Sequence, residues 1–154
     1  ELATVPVTVG GGTATASITR SDLGAGTHHL TAEYSGSPVF AGSTSATVDV
    51  TVARKATSLH ADAVLLRLNP LIGINVGVLR ATLTTADGPL AGQTIVFTKG
   101  TVTVCTATTG ATGLATCTPS LTQWLTLALG GGFTATFPGT ANYAPSSDHG
   151  ELIQ

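Results

Sequence analysis

The chain has no Met, one Trp, two Cys and only 9% charged residues over its 154 positions. Six Lys and Arg against eight Asp and Glu give a net charge of −2. That leaves no basic surface to neutralise a phosphate backbone, so nucleic acid is not an expected partner. Low charge beside 42% apolar residues is the reverse of the composition that keeps a chain disordered. No apolar run is long enough for a membrane span, because the most apolar region, Val64 to Leu83, is interrupted by Arg67, Asn69, Pro70 and Arg80. The opening Glu1-Leu2-Ala3-Thr4 has no basic region followed by an apolar stretch, so no signal peptide is expected here.

Thr is what the chain has in excess. Its 29 Thr stand beside abundant Val and Ala and 19 Gly. Branching at Cβ suits the pleated surface of a strand, and frequent Gly marks turns, so an all-β fold is expected. No segment shows a sustained helical period. The length allows one ordinary domain or two small ones with a real core.

An internal repeat decides between these. Leu30-Thr31-Ala32-Glu33-Tyr34-Ser35-Gly36 aligns with Phe133-Thr134-Ala135-Thr136-Phe137-Pro138-Gly139 at an offset of 103, and the match runs on to Ser43 and Ser146. Upstream, Gly12-Thr13-Ala14-Thr15-Ala16 lies over Gly113-Leu114-Ala115-Thr116-Cys117 at an offset of 101. Alternation of two places Leu30, Ala32 and Tyr34 on one strand face, and Phe133, Ala135 and Phe137 on its counterpart. Residues 57 to about 101 have no counterpart in the first copy.

The second copy, 57–154, therefore reads as a complete Greek-key β-sandwich. Its expected strands lie near Thr57 to Leu68, Gly77 to Thr85, Gln93 to Thr98, Thr101 to Ala107, Gly113 to Thr118, a Leu-rich strand about Trp124, and Gly132 to Phe137. The first copy, 1–56, retains only the later strands: roughly Thr4 to Val9, Thr13 to Thr19, His28 to Tyr34 and Thr44 to Val52. Val48, Val50 and Val52 alternate with Thr47, Asp49 and Thr51, so one face of that last strand expects a partner sheet. Half a sandwich leaves apolar surface and strand edges open to water, which makes it an association surface. Short Ala53-Arg54-Lys55-Ala56 makes a stiff join between the copies.

These residues carry a family resemblance. Leu23-Gly24-Ala25-Gly26-Thr27-His28-His29-Leu30-Thr31-Ala32-Glu33-Tyr34-Ser35-Gly36, followed by Phe40-Ala41-Gly42-Ser43-Thr44-Ser45, resembles the bacterial immunoglobulin-like repeat domains found in tandem on secreted and cell-surface proteins. The second copy is similar to the actinobacterial variety through Ala81-Thr82-Leu83, Gly88 to Phe97, Cys105 to Cys117 and Tyr143-Ala144-Pro145-Ser146-Ser147. The resemblance implies spacers, stalks, adhesins and fibre or appendage modules, since the fold hosts many roles. In the second copy Glu151 stands where the first has Val48, so its last strand lacks the Val alternation.

Cys105 and Cys117 are the strongest local chemistry. Twelve positions apart, they suit adjacent strands joined by a short loop, and a disulfide there contributes about 3 kcal/mol in the chain-entropy model. The rival is a redox or metal pair, but the spacing is not C-x-x-C and two Cys alone make a poor zinc site. A disulfide implies an oxidising compartment, so an extracellular or cell-surface location is expected. His28 and His29 point to opposite faces of a strand and cannot share a metal. No Gly-x-Ser-x-Gly elbow or Ca²⁺-loop pattern occurs, and Gly10-Gly11-Gly12 and Gly130-Gly131-Gly132 lack the helix and Lys of a phosphate loop. No metal, no cofactor and no catalysis are expected. Trp124, Asn142 and Tyr143 are the candidate ligand-binding residues for a glycan or surface ligand, with Trp124 and Tyr143 as a sugar-stacking platform, although single aromatics in a sandwich are more often core or loop anchors.

The expected function is a non-enzymatic structural module of an exported bacterial surface protein or fibre. The partial first sandwich would be completed by preceding chain or by strands of a neighbouring subunit, giving self-association or contact with adjoining domains. The alternative is an adhesin or carbohydrate-binding module using loops of the second copy.

Overall fold

A computed structural model describes residues 1–65, 67–69, 73–75, 77–128 and 131–153. Pro70 and Gly130, named above, lie outside the described residues. The chain divides into two units, Glu1–Val52 and Ala53–Gln154.

The first unit contains three two-stranded antiparallel pairs. Strands β1 (Thr8–Gly10) and β2 (Thr13–Thr15) form a hairpin around Gly11 and Gly12, whose φ values of 59° and 82° require glycine. Strands β3 (Gly26–Leu30), β4 (Glu33–Tyr34), β5 (Ser43–Thr44) and β6 (Val48–Val52) build the other two pairs, β3 with β6 and β4 with β5. Leu30 stands opposite Val48 and His28 opposite Val50, so the Val alternation shares a face with Leu30. The other face pairs Thr27 with Thr51 and His29 with Asp49, whose side chains meet in a hydrogen bond. His28 turns away from His29 and its Nε2 meets the carbonyl of Gly24 at 2.8 Å. Not one of residues 1–52 is buried.

The second unit is the all-β sandwich that the repeat predicts. Its strands are β7 (Ser58–Ala61), β8 (Val64–Leu65), β9 (Arg67–Asn69), β10 (Gly73–Asn75), β11 (Leu79–Thr85), β12 (Gly88–Pro89), β13 (Thr94–Lys99), β14 (Val102–Thr108) and β15 (Leu114–Cys117). Helix α1 (Leu121–Ala128) and strands β16 (Gly132–Phe137) and β17 (Ser146–Ile153) complete it. In one sheet β11 takes β7 and β15 as antiparallel neighbours, and short β12 folds back onto its end. The other sheet runs β14-β13-β16-β17-β8, with β8 parallel to β17. The leading segment therefore contributes β7 to one sheet and β8 to the other, while β9 pairs with β10 as a separate hairpin.

The core follows the alternation. Leu79, Ala81 and Leu83 from one sheet and Ile95, Phe97, Phe133, Ala135 and Phe137 from the other are each at most 1% exposed. Phe97 and Phe133 pack as a tilted pair with ring centroids 5.8 Å apart. In the last strand the register puts Gly150, not Glu151, in the place of Val48, since Val48 faces Leu30 and Gly150 faces Phe133, while Glu151 is exposed. Gly150 lies opposite Phe133, and a Cβ there would stand 2.2 Å from the Phe133 ring, so the ring fills the place that a side chain on β17 would take.

Trp124 corrects one expectation. The segment expected as a Leu-rich strand is helix α1, an eight-residue helix in which Trp124 and Leu127, three apart, face the core at 1% and 0% exposure. Ser120 caps it: Gln123 N donates to Ser120 Oγ at 3.4 Å, and Ser120 N donates back to Gln123 Oε1 at 2.8 Å. Gln123 Nε2 also donates to the carbonyl of Val104 at 2.6 Å, tying the helix to β14.

Candidate interaction surface

The sequence repeat has a geometric counterpart in the turn that follows β4 and β16. Glu33 pairs with Thr44 and Tyr34 with Ser43; 103 residues on, Thr136 pairs with Ser147 and Phe137 with Ser146. Gly36 and Gly139 turn the chain at φ 91° and 84°. A Cβ on Gly36 would meet Gly42 N and Phe40 O at 2.9 Å, and one on Gly139 would meet Pro145 N and Tyr143 O at 3.0 Å. Ser37 N donates to Phe40 O at 2.8 Å and Thr140 N to Tyr143 O at 3.0 Å. The hydroxyls match too, since Phe40 N donates to Ser37 Oγ and Tyr143 N to Thr140 Oγ1, both at 3.2 Å.

In the second unit this turn carries a strand. Lys55 N donates to the carbonyl of Asn142 at 2.8 Å and Ala144 N donates to the carbonyl of Lys55 at 2.9 Å, a parallel bridge between Lys55 and Tyr143. Two residues on, the Thr57 hydroxyl meets Ala144 O at 2.9 Å and Ser146 Oγ at 2.8 Å. Lys55 also forms an ion pair with Asp87. Residues 53–56, read from sequence as the join between copies, are thus fastened along the turn of the second unit.

Of the three candidate ligand-binding residues, the structure brings Asn142 and Tyr143 together and separates Trp124 from them in role. Trp124 is buried and offers no ring face to solvent, so it is a core anchor and not part of a stacking platform. Its Nε1 is a buried donor with no hydrogen-bond partner among the described residues. Asn142 lends its carbonyl to Lys55, and Tyr143 is half-buried against the core.

Cys105 and Cys117 form a disulfide with a Cα–Cα separation of 6.4 Å. Consecutive strands carry them, but β14 and β15 belong to opposite sheets, so the bond joins the two layers and not neighbours within one. The spacing of the two Cys signals the pair; it carries no sign of which sheet each strand joins.

Sequence reasoning gave no role to Asp148. Its Oδ2 accepts a hydrogen bond from Ala61 N at 2.8 Å, fixing β7 against β17 where the chain leaves one sheet for the other. That N–H, then the N–H of His149, hold its carboxyl below the usual carboxylate range. His60 Nδ1 lies 3.4 Å from Asp148 Oδ2, and His60 Nε2 lies 3.8 Å from Asp62 Oδ1. An open groove beside them is lined by Asp62, Ala63, Val64, Val78 and Arg80. Among the described residues no three His, Cys, Asp or Glu gather closely enough to hold a metal ion, and no helix is long and apolar enough to cross a membrane.

No curated protein and no solved structure matches the chain. The family match falls on the first unit, residues 1–53, and is to the bacterial Ig-like domain (group 3). It covers the turn at Gly36 and its paired strands, whose glycine conformation, strand register and two of whose hydrogen bonds recur in the second unit. Over those residues the chain is similar to the bacterial Ig-like domains of group 3.

Proposed function

We propose that the chain is a non-enzymatic structural module of an exported bacterial surface protein or fibre, and that residues 1–56 are the later half of a sandwich completed by strands from outside that segment. One observation carries this reading. Ala135 and Phe137, at 0% and 1% exposure, are core residues, whereas their counterparts Ala32 and Tyr34 are exposed, Tyr34 at 36%. Covering such a face is favourable by roughly 25 cal/mol for each Å² of apolar surface removed from water. The disulfide and the family match support an oxidising, extracytoplasmic location. Head-to-tail completion by neighbouring subunits repeats one heterologous contact and extends into a filament. Glycan recognition through Trp124, Asn142 and Tyr143 lacks comparable support, because the first is buried and the second and third are part of the turn that fastens Lys55.

Amide hydrogen exchange on the 154-residue chain tests the reading. The expected result is fast exchange at Gly26–Leu30 and Val48–Val52 beside strong protection at Leu79–Thr85 and Thr94–Lys99. A monomer by light scattering in which both units are equally protected contradicts it.

A further inference from the structure

We infer that the turn at residues 37–43 of the first unit is a seat for an extended strand, and that its occupant is the leading segment of another repeat of this chain's own kind. The inference rests on the proposed completion of residues 1–56 and names where and how the completing chain enters. The second unit supplies the template. There the occupant is residues 53–57, held by four contacts: Lys55 N to Asn142 O, Ala144 N to Lys55 O, and the Thr57 hydroxyl to Ala144 O and Ser146 Oγ. Subtracting the offset of 103 turns the receiving atoms into Val39 O, Ala41 N, Ala41 O and Ser43 Oγ, with Ala and Ser retained at the hydroxyl position. The turn that presents these atoms is the same in both units, down to the glycine conformation and the Ser37 or Thr140 hydroxyl contact.

In the first unit the seat stands open. Among the described residues, neither Val39 O nor Ala41 N has a backbone partner, and the Ser43 hydroxyl makes no hydrogen bond. Val39 and Phe40 are 81% and 69% exposed, while Tyr143, at the position of Phe40, packs against the core. Recognition is therefore by strand addition: main-chain bonds give the pairing, and a Thr or Ser two residues beyond the paired position gives selectivity. The occupant runs parallel to residues 39–41, as Lys55 runs parallel to Tyr143.

The test is an NMR titration of the isotope-labelled full chain with a synthetic peptide of the sequence of residues 53–61, taken into the millimolar range. Amide signals at Ala41 and Ser43 are expected to shift saturably, with those of Asn142 to Ser146 unmoved because that seat is already filled. Losing one hydroxyl contact, by Ser43→Ala in the chain, is expected to weaken binding roughly three- to tenfold, and losing both contacts of the hydroxyl, by Thr57→Val in the peptide, at least as much. The peptide variant leaves the chain intact and so does not depend on the folding of the Ser43→Ala protein. No saturable shift within residues 37–45, or equal binding by the Thr and Val peptides, overturns the seat. Completion itself is read separately, from exchange at Gly26–Leu30 and Val48–Val52, so unprotected strands with no peptide binding reject the seat alone.

Discussion

Phe40 and Tyr143 occupy the same place in two turns of the same geometry, yet Phe40 is 69% exposed and Tyr143 packs against a core. The turn needs only its own glycine and hydroxyl bonds, so it forms in both units. The aromatic is packed in the unit whose turn carries Lys55 and exposed in the unit whose turn carries no such segment among the described residues. Local sequence thus builds the hairpin, and the rest of a sandwich makes it a domain.

The disulfide ties the two sheets together at one edge of the second unit, and its removal is expected to loosen that edge without changing the fold. Closing a loop of this size contributes about 2–4 kcal/mol. For a unit of this size that corresponds to a fall in Tm of roughly 10–20 °C. Thermal unfolding of the chain with and without a reductant, followed by the near-ultraviolet dichroism of Trp124, measures it. An unchanged Tm would mean that the sheets are held together elsewhere.

Trp124 combines a large buried ring with a donor that has no partner among the described residues. Trp124→Ala removes the whole ring and is expected to cost about 3–5 kcal/mol. Trp124→Phe also loses contacts but removes the unpaired N–H, whose burial costs about 1–3 kcal/mol. The two effects offset, so the Phe variant is expected within about 1 kcal/mol of the parent. Urea midpoints followed by far-ultraviolet dichroism separate the variants, and a Phe variant as damaged as the Ala variant would show that the indole N–H is satisfied.

Gly12 and Gly113 occupy matched positions at φ 82° and 75°. A Cβ on Gly113 would stand 2.3 Å from the carbonyl oxygen of Leu83, whereas one on Gly12 would meet nothing within 4 Å. Gly113→Ala therefore carries both the left-handed backbone cost and a clash with main chain, together more than about 2 kcal/mol. Gly12→Ala carries the backbone cost alone, about 1 kcal/mol, confined to its hairpin. Calorimetry should show the second unit melting lower in the first variant and unchanged in the second.

The sandwich was legible because period-two alternation is strong in β11, β13 and β16, where every inward position of Leu79, Ala81, Leu83, Ile95, Phe97, Phe133, Ala135 and Phe137 is buried. Helix α1 was not, because eight residues are too short a stretch to show a sustained helical period. Its one decisive sign was the Ser120 and Gln123 capping box. The sheet membership of Cys105 and Cys117 depends on how β14 and β15 pair with distant strands, and the Asp148 contact with Ala61 spans 87 residues. Neither is written in local pattern. The seat on the second turn was half legible: the repeat aligns the turns, but only the structure shows Lys55 upon one of them.

Asp148 gives the second unit an acid sensitivity whose sign follows from its partners. Ala61 N–H and then His149 N–H favour the charged carboxylate in the folded state, with His60 adding to this when protonated, while Asp62 faces the other side of that imidazole. A lowered folded value means that the stabilisation is fully present above the unfolded value of about 3.9 and is lost as pH falls from there through the folded value. Asp148→Asn keeps an acceptor oxygen for Ala61 N but carries no charge. Above pH about 5 the variant is expected to be the less stable protein, and the gap to the parent to narrow below pH about 3.9, as the parent's own carboxylate is neutralised. Denaturation midpoints of both proteins across this range decide the matter, and a gap that stays constant with pH would assign the acid sensitivity to another group.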